Sequence, residues 1–494
     1  MHDLSARPVA LRRRAPSLVD VTLDPAQEDA VRRPAGRSLL VLGEAGHGKT
    51  TVGLHRVAHL WRTAARDLTA CVVVPTEGLE RLLQPLLRRL GADVEVVAYE
   101  RWARDQARAA FRGLPRRESE TATPLVARLK RHPALRAVLD DVARAGALGR
   151  AQRRDLLELF GDRVLLERVA SAAAGTVTSR MVDDVLEHTR VQFSRTTEKE
   201  WSHVTDRARL VAVDGRPLDE GTASADARSI DTEDYAVLFE IDRLRALHRG
   251  TEPARPRLYD LMMIDEAQEL APLERVLLGR SVSPGGTLVV AGDPAQQVDP
   301  GVTFASWEET MRELGCADHD TVTLLAGYRC PAAVVTLARS VLDPGRPGGP
   351  SHGVPAASAP LEAVVRRPFD DEAALASFLA RELAHLARVD RTATTAVLCR
   401  SPLFARRFVE RLRAGVPARL VLDGRFLARG GVQVTTVDQV RGLEFDTVIV
   451  PDADATTYPD DPASRRTLYV ALTRARHQVL VAWNGEATRL LPAG

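Results

Sequence analysis

The sequence predicts an α/β fold in which a chain of 494 residues forms two units, each built on a parallel sheet. Two observations indicate this class. Short apolar runs such as Leu39–Leu42 and Thr447–Val450 alternate with amphipathic stretches in both the early and the late part of the chain. Between about residues 105 and 255 the apolar spacing instead becomes helical and strand candidates become rare, which predicts a mainly helical insertion in the first unit.

The predicted boundaries follow these changes of pattern. Residues 1–20 contain three consecutive arginines and no hydrophobic stretch, so we expect a basic tail rather than a signal peptide. The first unit comprises residues 21–104 and 256–320, and residues 105–255 form the insertion. Residues 321–494 form the second unit.

Composition narrows the functional classes. The 45% hydrophobic and 27% charged contents are typical of a soluble globular protein, and no apolar run approaches the roughly 20 residues that span a bilayer. The four cysteines form no C-x-x-C pair, which disfavours a zinc framework and suits a reducing cytoplasm. The formal net charge is only +2, so any surface for nucleic acid must be local. We therefore expect a cytoplasmic protein with no membrane partner.

A phosphate-binding loop is predicted at Gly43–Thr50, which fits G-x-x-x-x-G-K-[ST] between a buried strand and a helix. Lys49 is one of three lysines in a chain with 65 arginines. A compact ammonium reaches between two phosphates, where a planar guanidinium fits poorly. The alternative is a glycine-rich turn with an incidental lysine. We expect nucleotide contacts from the loop and its first helical residues, which are Gly43, Glu44, Ala45, Gly46, His47, Gly48, Lys49, Thr50 and Thr51, with His47 facing solvent.

Two adjacent carboxylates, Asp265 and Glu266, follow the apolar strand Leu258–Ile264. Downstream of a phosphate loop, such a pair divides two tasks. Asp265, together with the Thr50 hydroxyl, would hold Mg²⁺, and Glu266 would orient and deprotonate the attacking water. The alternative is a helix N-cap followed by a first-turn acid.

The order of these and later motifs resembles the superfamily 1 helicases of the UvrD/Rep/PcrA type. The resemblance implies two RecA-like P-loop NTPase domains that bind ATP and Mg²⁺ in the cleft between them. It also implies motion along single-stranded DNA, with 3′→5′ polarity. The motifs that carry it are Leu23–Gln27, Cys71–Thr76, Val96–Trp102, Asp265–Gln268, Gly292–Gln296, Gly327–Arg329, Gly442–Asp446 and Tyr469–Ala475.

The resemblance also implies roles for individual residues within these motifs. Gln27 would recognise adenine and Tyr328 would stack on it, while Glu444 would contact the ribose. Gln296, Arg329 and Arg474 would meet the γ-phosphate, with Arg474 as the arginine finger. Together with Lys49 and Glu266, these last three complete the predicted catalytic set. One departure is Arg441, where the family usually has a lysine before Gly-Leu-Glu.

Contacts with nucleic acid are predicted from the corresponding motifs and from aromatic side chains, since unpaired bases stack on aromatic rings. Core packing is the alternative for each ring. A second resemblance, carried by Val52–Leu60 and Asp265–Leu270, is to the HelD-type ATPases that remodel RNA polymerase. It implies RNA polymerase or another protein complex as an alternative partner. A further alternative is a non-unwinding, helicase-like subunit of a defence or repair complex. The predicted nucleic-acid contacts are Pro75, Thr76, Tyr99, Trp102, Trp307 and Thr435.

Overall fold

The computed structural model describes most of the chain, in segments separated by gaps. Tyr328, Arg329 and the predicted basic tail lie outside the described residues. No helix in the described part is both long and apolar enough to cross a membrane. The described segments are 22–119, 122–146, 149–194, 204–205, 227–299, 301–302, 304–327, 330–344, 363–427 and 430–492.

The described strands form two six-stranded sheets and one two-stranded sheet. The pairings within them are parallel, so the predicted α/β class with parallel sheets is confirmed. The strands are β1 Ser38–Gly43, β2 Ala70–Val74, β3 Glu95–Ala98, β4 Arg117–Glu118, β5 Ser229–Ile230, β6 Tyr259–Ile264, β7 Val282–Gly292, β8 His319–Leu324, β9 Val364–Phe369, β10 Thr394–Cys399, β11 Ala418–Leu420, β12 Gly431–Thr436, β13 Phe445–Val450 and β14 Ala475–Asn484.

Helices cover the sheets and build the insertion. The central strands are apolar along their length because both faces are buried, as at Met262 and Met263, which are fully covered. The helices are α1 Pro25–Arg32, α2 Lys49–Thr63, α3 Glu77–Arg89, α4 Tyr99–Ala110, α5 Pro124–Lys130, α6 Arg136–Ala145, α7 Arg153–Phe160, α8 Arg163–Ala172, α9 Ser179–Phe193, α10 Thr232–Arg249, α11 Pro272–Gly279, α12 Trp307–Glu313, α13 Ala332–Leu342, α14 Glu372–Val389, α15 Pro402–Arg413 and α16 Pro462–Thr473.

The first sheet has the strand order β3-β2-β6-β7-β1-β8. Its last strand corrects the boundary predicted at residue 321, because β8 pairs with β1 from Ser38–His319 through to Gly43–Leu324. The second sheet has the order β11-β12-β10-β13-β14-β9, and α13 packs against α16, the helix between β13 and β14. The chain therefore passes from the first sheet to the second between Leu324 and Ala332.

The helices of the insertion, α5 to α10, pack on one face of the first sheet. Their buried side chains form a single cluster with sheet residues such as Leu40 and Ile264, so the insertion shares a core with the first unit. Its long helix α10 contacts both α4 and α11. The insertion is therefore in contact with the helices that follow β3 and β6 in the chain.

A buried ion cluster holds the insertion together around Lys130, at the end of α5. Its ammonium lies 2.5 Å from Asp231 Oδ2 and 2.8 Å from Asp234 Oδ1, and only 2% of the residue is exposed. Burial lowers the pKa of Lys130, but the two carboxylates raise it by more, so that its pKa lies above the ordinary value. His188 also contacts Asp231, at 3.0 Å, so the cluster ties α5 and α9 to the start of α10.

We expect Lys130→Met to lower the free energy of unfolding by about 3 kcal/mol, because it leaves two carboxylates buried without their cation. Urea denaturation followed by circular dichroism measures the change. The matched control is Arg154→Ala on α7, where 78% of the side chain is exposed in an ion pair with Glu158. That control should change stability by less than about 0.5 kcal/mol. Equal effects of the two substitutions would contradict a structural role for the buried cluster.

Candidate functional site

The phosphate loop connects the end of β1 to the start of α2. Gly46 and Gly48 have φ angles of +79° and +85°, in the left-handed region that side chains rarely adopt. A Cβ on Gly48 would also lie 2.9 Å from Gln27 Nε2. The loop therefore curls and leads directly into the N-terminus of α2, where an anion is favoured.

Lys49, the first residue of α2, is buried, with 6% of the residue exposed. Its Nζ donates to the carbonyl oxygens of Gly43, at 2.8 Å, and Glu44, at 3.1 Å, and lies 4.0 Å from Asp293 Oδ2. The ammonium thus lies across the mouth of the loop, within reach of a bound phosphate.

Asp265 and Thr50 come together at the end of β6. The Thr50 hydroxyl donates to Asp265 Oδ2 at 2.8 Å. Burial, and then the neighbouring Glu266, raise the pKa of Asp265 to about 7. In the described part of the chain no three His, Cys, Asp or Glu side chains are grouped to hold a metal. A hydroxyl and one carboxylate fit Mg²⁺, which takes few protein ligands and completes its shell with phosphates and water.

Glu266 lies beside this pair in a strained backbone conformation, with φ at +53°. Its Oε2 accepts a hydrogen bond from Gln268 Nε2 at 2.7 Å, and Gln268 Oε1 accepts one from the Asp293 backbone N–H at 3.1 Å. Gln268 and Asp293 were not among the predicted site residues. They could have been predicted from the sequence, because Gln268 lies in the same motif as Glu266, and Asp293 lies in the same motif as Gln296.

The second unit reaches this group of side chains through Arg474, of which only 4% is exposed. Its Nη2 donates to Gln296 Oε1, and Gln296 Nε2 donates to Asp293 Oδ2 at 2.8 Å. Since Asp293 also faces Lys49, polar contacts run continuously from the phosphate loop to the end of α16. The structure therefore brings together four of the five predicted catalytic residues, and the fifth, Arg329, lies outside the described residues.

His47 corrects an expectation, because it is 7% exposed and does not face solvent. Its Nδ1 lies 2.7 Å from the Leu324 carbonyl at the end of β8. A carbonyl oxygen only accepts, so Nδ1 carries the proton. The His47 carbonyl in turn accepts from Gln27 Nε2 at 3.2 Å. Gln27 itself is fixed at the start of α1 by reciprocal hydrogen bonds with Asp24, so both residues brace the loop.

Two other predicted nucleotide contacts are engaged in ion pairs. Glu44, in the phosphate loop, lies 2.6 Å from Arg339 on α13, which is a second contact between the two units. Glu444 lies 3.2 Å from Arg476 at the start of β14.

Three of the predicted nucleic-acid contacts are wrong in this structure because the side chains are buried. Tyr99 and Trp102 are 5% and 2% exposed and belong to the core behind the first sheet, while Thr435 is fully covered within β12. Thr76 accepts from the Leu79 N–H at 3.3 Å and caps α3. Trp307 packs edge-on against Phe304, with 4.9 Å between ring centroids. Pro75 lies at the end of β2, on the wall of a small cavity.

A comparison with protein families finds a similarity in the C-terminal part of the chain. The family model of the UvrD-like helicase C-terminal domain matches residues 431–482, which run from β12 into β14. The solved C-terminal domain of a "possible DNA helicase" from Lactobacillus plantarum WCFS1 is 26% identical, over 33% of this chain and 92% of that chain, with a TM-score of 0.27. No curated protein matches the chain. Residues 431–482 are thus similar to a helicase domain, and the resemblance to polymerase-remodelling ATPases stays a prediction.

Proposed function

We propose that this protein is an ATP hydrolase of the superfamily 1 helicase type, which uses two RecA-like domains to move along single-stranded DNA. The observation that carries the proposal is the continuous polar path from Lys49 through Asp293 and Gln296 to Arg474. Its first member binds phosphate, and its last comes from the other unit. The similarity of residues 431–482 to a helicase domain supports the assignment of this second unit.

Each side chain has a separate task in this reaction. Lys49 neutralises charge on the phosphates of ATP, and Arg474 stabilises the charge that develops on the transferred phosphoryl group. Glu266 accepts a proton from the attacking water and holds it in line, while Gln268 fixes the Glu266 carboxylate. When bound by Thr50 and Asp265, Mg²⁺ supplies further neutralisation of phosphate charge.

Coupling to movement follows from the origin of these groups. Arg474 and Arg339 belong to the second unit but contact Gln296 and Glu44 of the first. Bound triphosphate attracts Arg474 and favours the closed cleft, and loss of the γ-phosphate weakens that attraction. A two-state cleft of this kind is able to drive stepwise movement.

In the described part of the helical insertion, neighbouring carboxylates neutralise part of the arginine charge. Several of its exposed arginines are paired with carboxylates: Arg136 with Glu313, Arg150 with Asp242, and Arg168 with Asp141. The second candidate, which rests on the sequence resemblance alone, is a protein-remodelling motor that acts on RNA polymerase or another complex. The two candidates differ in whether DNA accelerates ATP hydrolysis.

The test is steady-state ATP hydrolysis by the full chain, with and without single-stranded DNA. We expect hydrolysis to be accelerated by the strand in a salt-sensitive manner, because binding to phosphates releases counterions. Lys49→Ala should lower kcat about a hundredfold, since one preorganised cationic donor is lost. Turnover unchanged in Lys49→Ala would reject the site. Turnover that is sensitive to Lys49→Ala but indifferent to DNA would favour the protein-remodelling alternative.

A further inference from the structure

We infer that Arg441 and Arg131 are positioning residues for Glu266, so that ATP hydrolysis requires both the second unit and the helical insertion to be docked. The inference rests on the proposed function, since it concerns the same site. It adds two side chains that do not touch the nucleotide site themselves and that act through one short turn of the first unit.

The turn in question is Glu266–Leu270, which begins with the strained backbone of Glu266. The Glu269 N–H donates to the Glu266 carbonyl at 2.9 Å, so these two residues are joined across a single 3₁₀ turn. The Glu269 carboxylate is 3% exposed at the residue level and accepts from the backbone N–H groups of Val298, at 2.9 Å, and Asp299, at 3.2 Å. Any shift of Glu269 is thus transmitted to Glu266.

Arg441 holds this turn from the second unit. It follows the short helix after β12, and its Nη1 lies 3.1 Å from Glu269 Oε2 and 3.6 Å from Asp299 Oδ2. Burial raises the pKa of Glu269, and Arg441 is the largest influence in the opposite direction. Without Arg441 the carboxylate would lack its cation in a desolvated position.

Arg131 holds the same turn from the insertion. Its Nη2 donates to the Glu269 carbonyl and to Glu274 Oε2, each at 2.8 Å, and its Nη1 donates to Asp299 Oδ2 at 2.5 Å. Arg131 directly follows Lys130, whose ion cluster anchors that point of the chain in the insertion. The turn is therefore held through its carboxylate by the second unit and through its backbone by the insertion.

Asp299 links the two arginines, because its Oδ2 atom lies beside both Arg131 and Arg441. Burial opposes its ionisation, yet Arg131 and Arg441 hold the pKa of Asp299 below its ordinary value, so it is charged. Beside the turn lies a cavity of about 70 Å³, lined by Glu266, Glu269, Asp299 and Arg441 among others, which has room for a few water molecules. The turn consequently has space to shift when either arginine withdraws.

The two units are also in close contact beside Arg441, and this contact limits the positions that its side chain can take. Gly442, next in the chain, has a φ of +71°, and a Cβ there would lie 2.6 Å from a methyl carbon of Leu79. On the facing side, a Cβ on Gly78 would lie 3.0 Å from the Phe426 ring. The two units approach each other closely at Gly78 and Gly442. Arg441 therefore reaches Glu269 only when the two units are in contact.

The experiment compares kcat and KM for ATP, and the affinity for a fluorescent ADP analogue, among variants of the full chain. Arg441→Gln should lower kcat about tenfold while KM and analogue affinity change less than about twofold, because the turn is displaced but the phosphate loop is not. Arg441→Lys keeps the charge opposite Glu269 and should recover most of the lost kcat. Arg131→Gln should resemble Arg441→Gln, and the double variant should lose much less than the product of the single effects.

The control is Arg154→Gln, an exposed arginine of the insertion, which should leave kcat unchanged. If Arg441→Gln does not fold, as judged by circular dichroism, Asp299→Asn replaces it, with the same expected fall in kcat at constant KM. An active wild type with unchanged kcat in these variants overturns the inference. The inference is also overturned if kcat of Arg441→Lys is no higher than that of Arg441→Gln. It is overturned as well if Arg441→Gln loses as much affinity for the ADP analogue as it loses in kcat. If the wild type itself hydrolyses no ATP, the proposed function fails first.

Discussion

Arg474→Ala is expected to lower kcat for ATP hydrolysis by about 10³-fold or more, the range typical of an arginine that stabilises charge on a transferred phosphoryl group. The geometry supports so large an effect, because the guanidinium is buried and is aimed at Gln296 and the phosphate loop. In such a water-excluded cleft its charge is poorly screened. KM for ATP should change far less, since Lys49 and the loop backbone remain in place.

The measurement for Arg474→Ala is steady-state hydrolysis together with direct binding of a fluorescent ADP analogue. The matched control is Arg489→Ala, whose arginine has a side chain that is 79% exposed. Arg489→Ala should be indistinguishable from the wild type. A loss of kcat in Arg474→Ala of less than tenfold would mean that the second unit does not complete the catalytic site.

Glu266→Gln is expected to lower kcat by about 10³-fold, because glutamine has the shape of glutamate but cannot accept the proton of the attacking water. The substitution keeps an oxygen for the hydrogen bond from Gln268, so the surrounding contacts should persist. ATP should therefore still bind and should accumulate in a stable complex. Rapid-quench measurement of a single turnover, beside equilibrium binding of ATP, separates the two steps.

The control for Glu266→Gln is Glu252→Gln, an exposed carboxylate paired with Arg255, which should retain full activity. If Glu266→Gln bound ATP more weakly in proportion to its loss of kcat, the side chain would be serving binding rather than chemistry. If it retained turnover, another base would have to lie within reach of the attacking water.

Local patterns were sufficient to predict the phosphate loop and the adjacent carboxylates. Gly48 and Lys49 carry their conformational and chemical roles within eight residues of sequence, and Asp265 follows directly from the apolar strand that delivers it. The alternation of apolar runs likewise predicted parallel sheets, because strands covered on both faces have no polar side.

Contacts between distant segments were not predictable in this way. Arg131, Asp299 and Arg441 meet only after the insertion and both sheets have assembled, and one sequence contains no signal that pairs them. The membership of β8 in the first sheet is equally non-local, since it depends on pairing with β1. Tyr99 and Trp102 differ in this respect, because the buried positions of α4 recur at helical spacing, which favours core packing.

The burial of Lys49 and Lys130 has a consequence for the covalent chemistry of the chain. Both side chains are less than a tenth exposed, and the only other lysine, Lys199, lies outside the described residues. In the described part of the chain, reagents and enzymes that modify or cleave at lysine side chains therefore find both amines covered, although arginine is abundant on the surface. Labelling measured separately at Lys49 and Lys130, by peptide mapping, would therefore report on the opening of the Gly43–Thr50 loop and of the centre of the insertion.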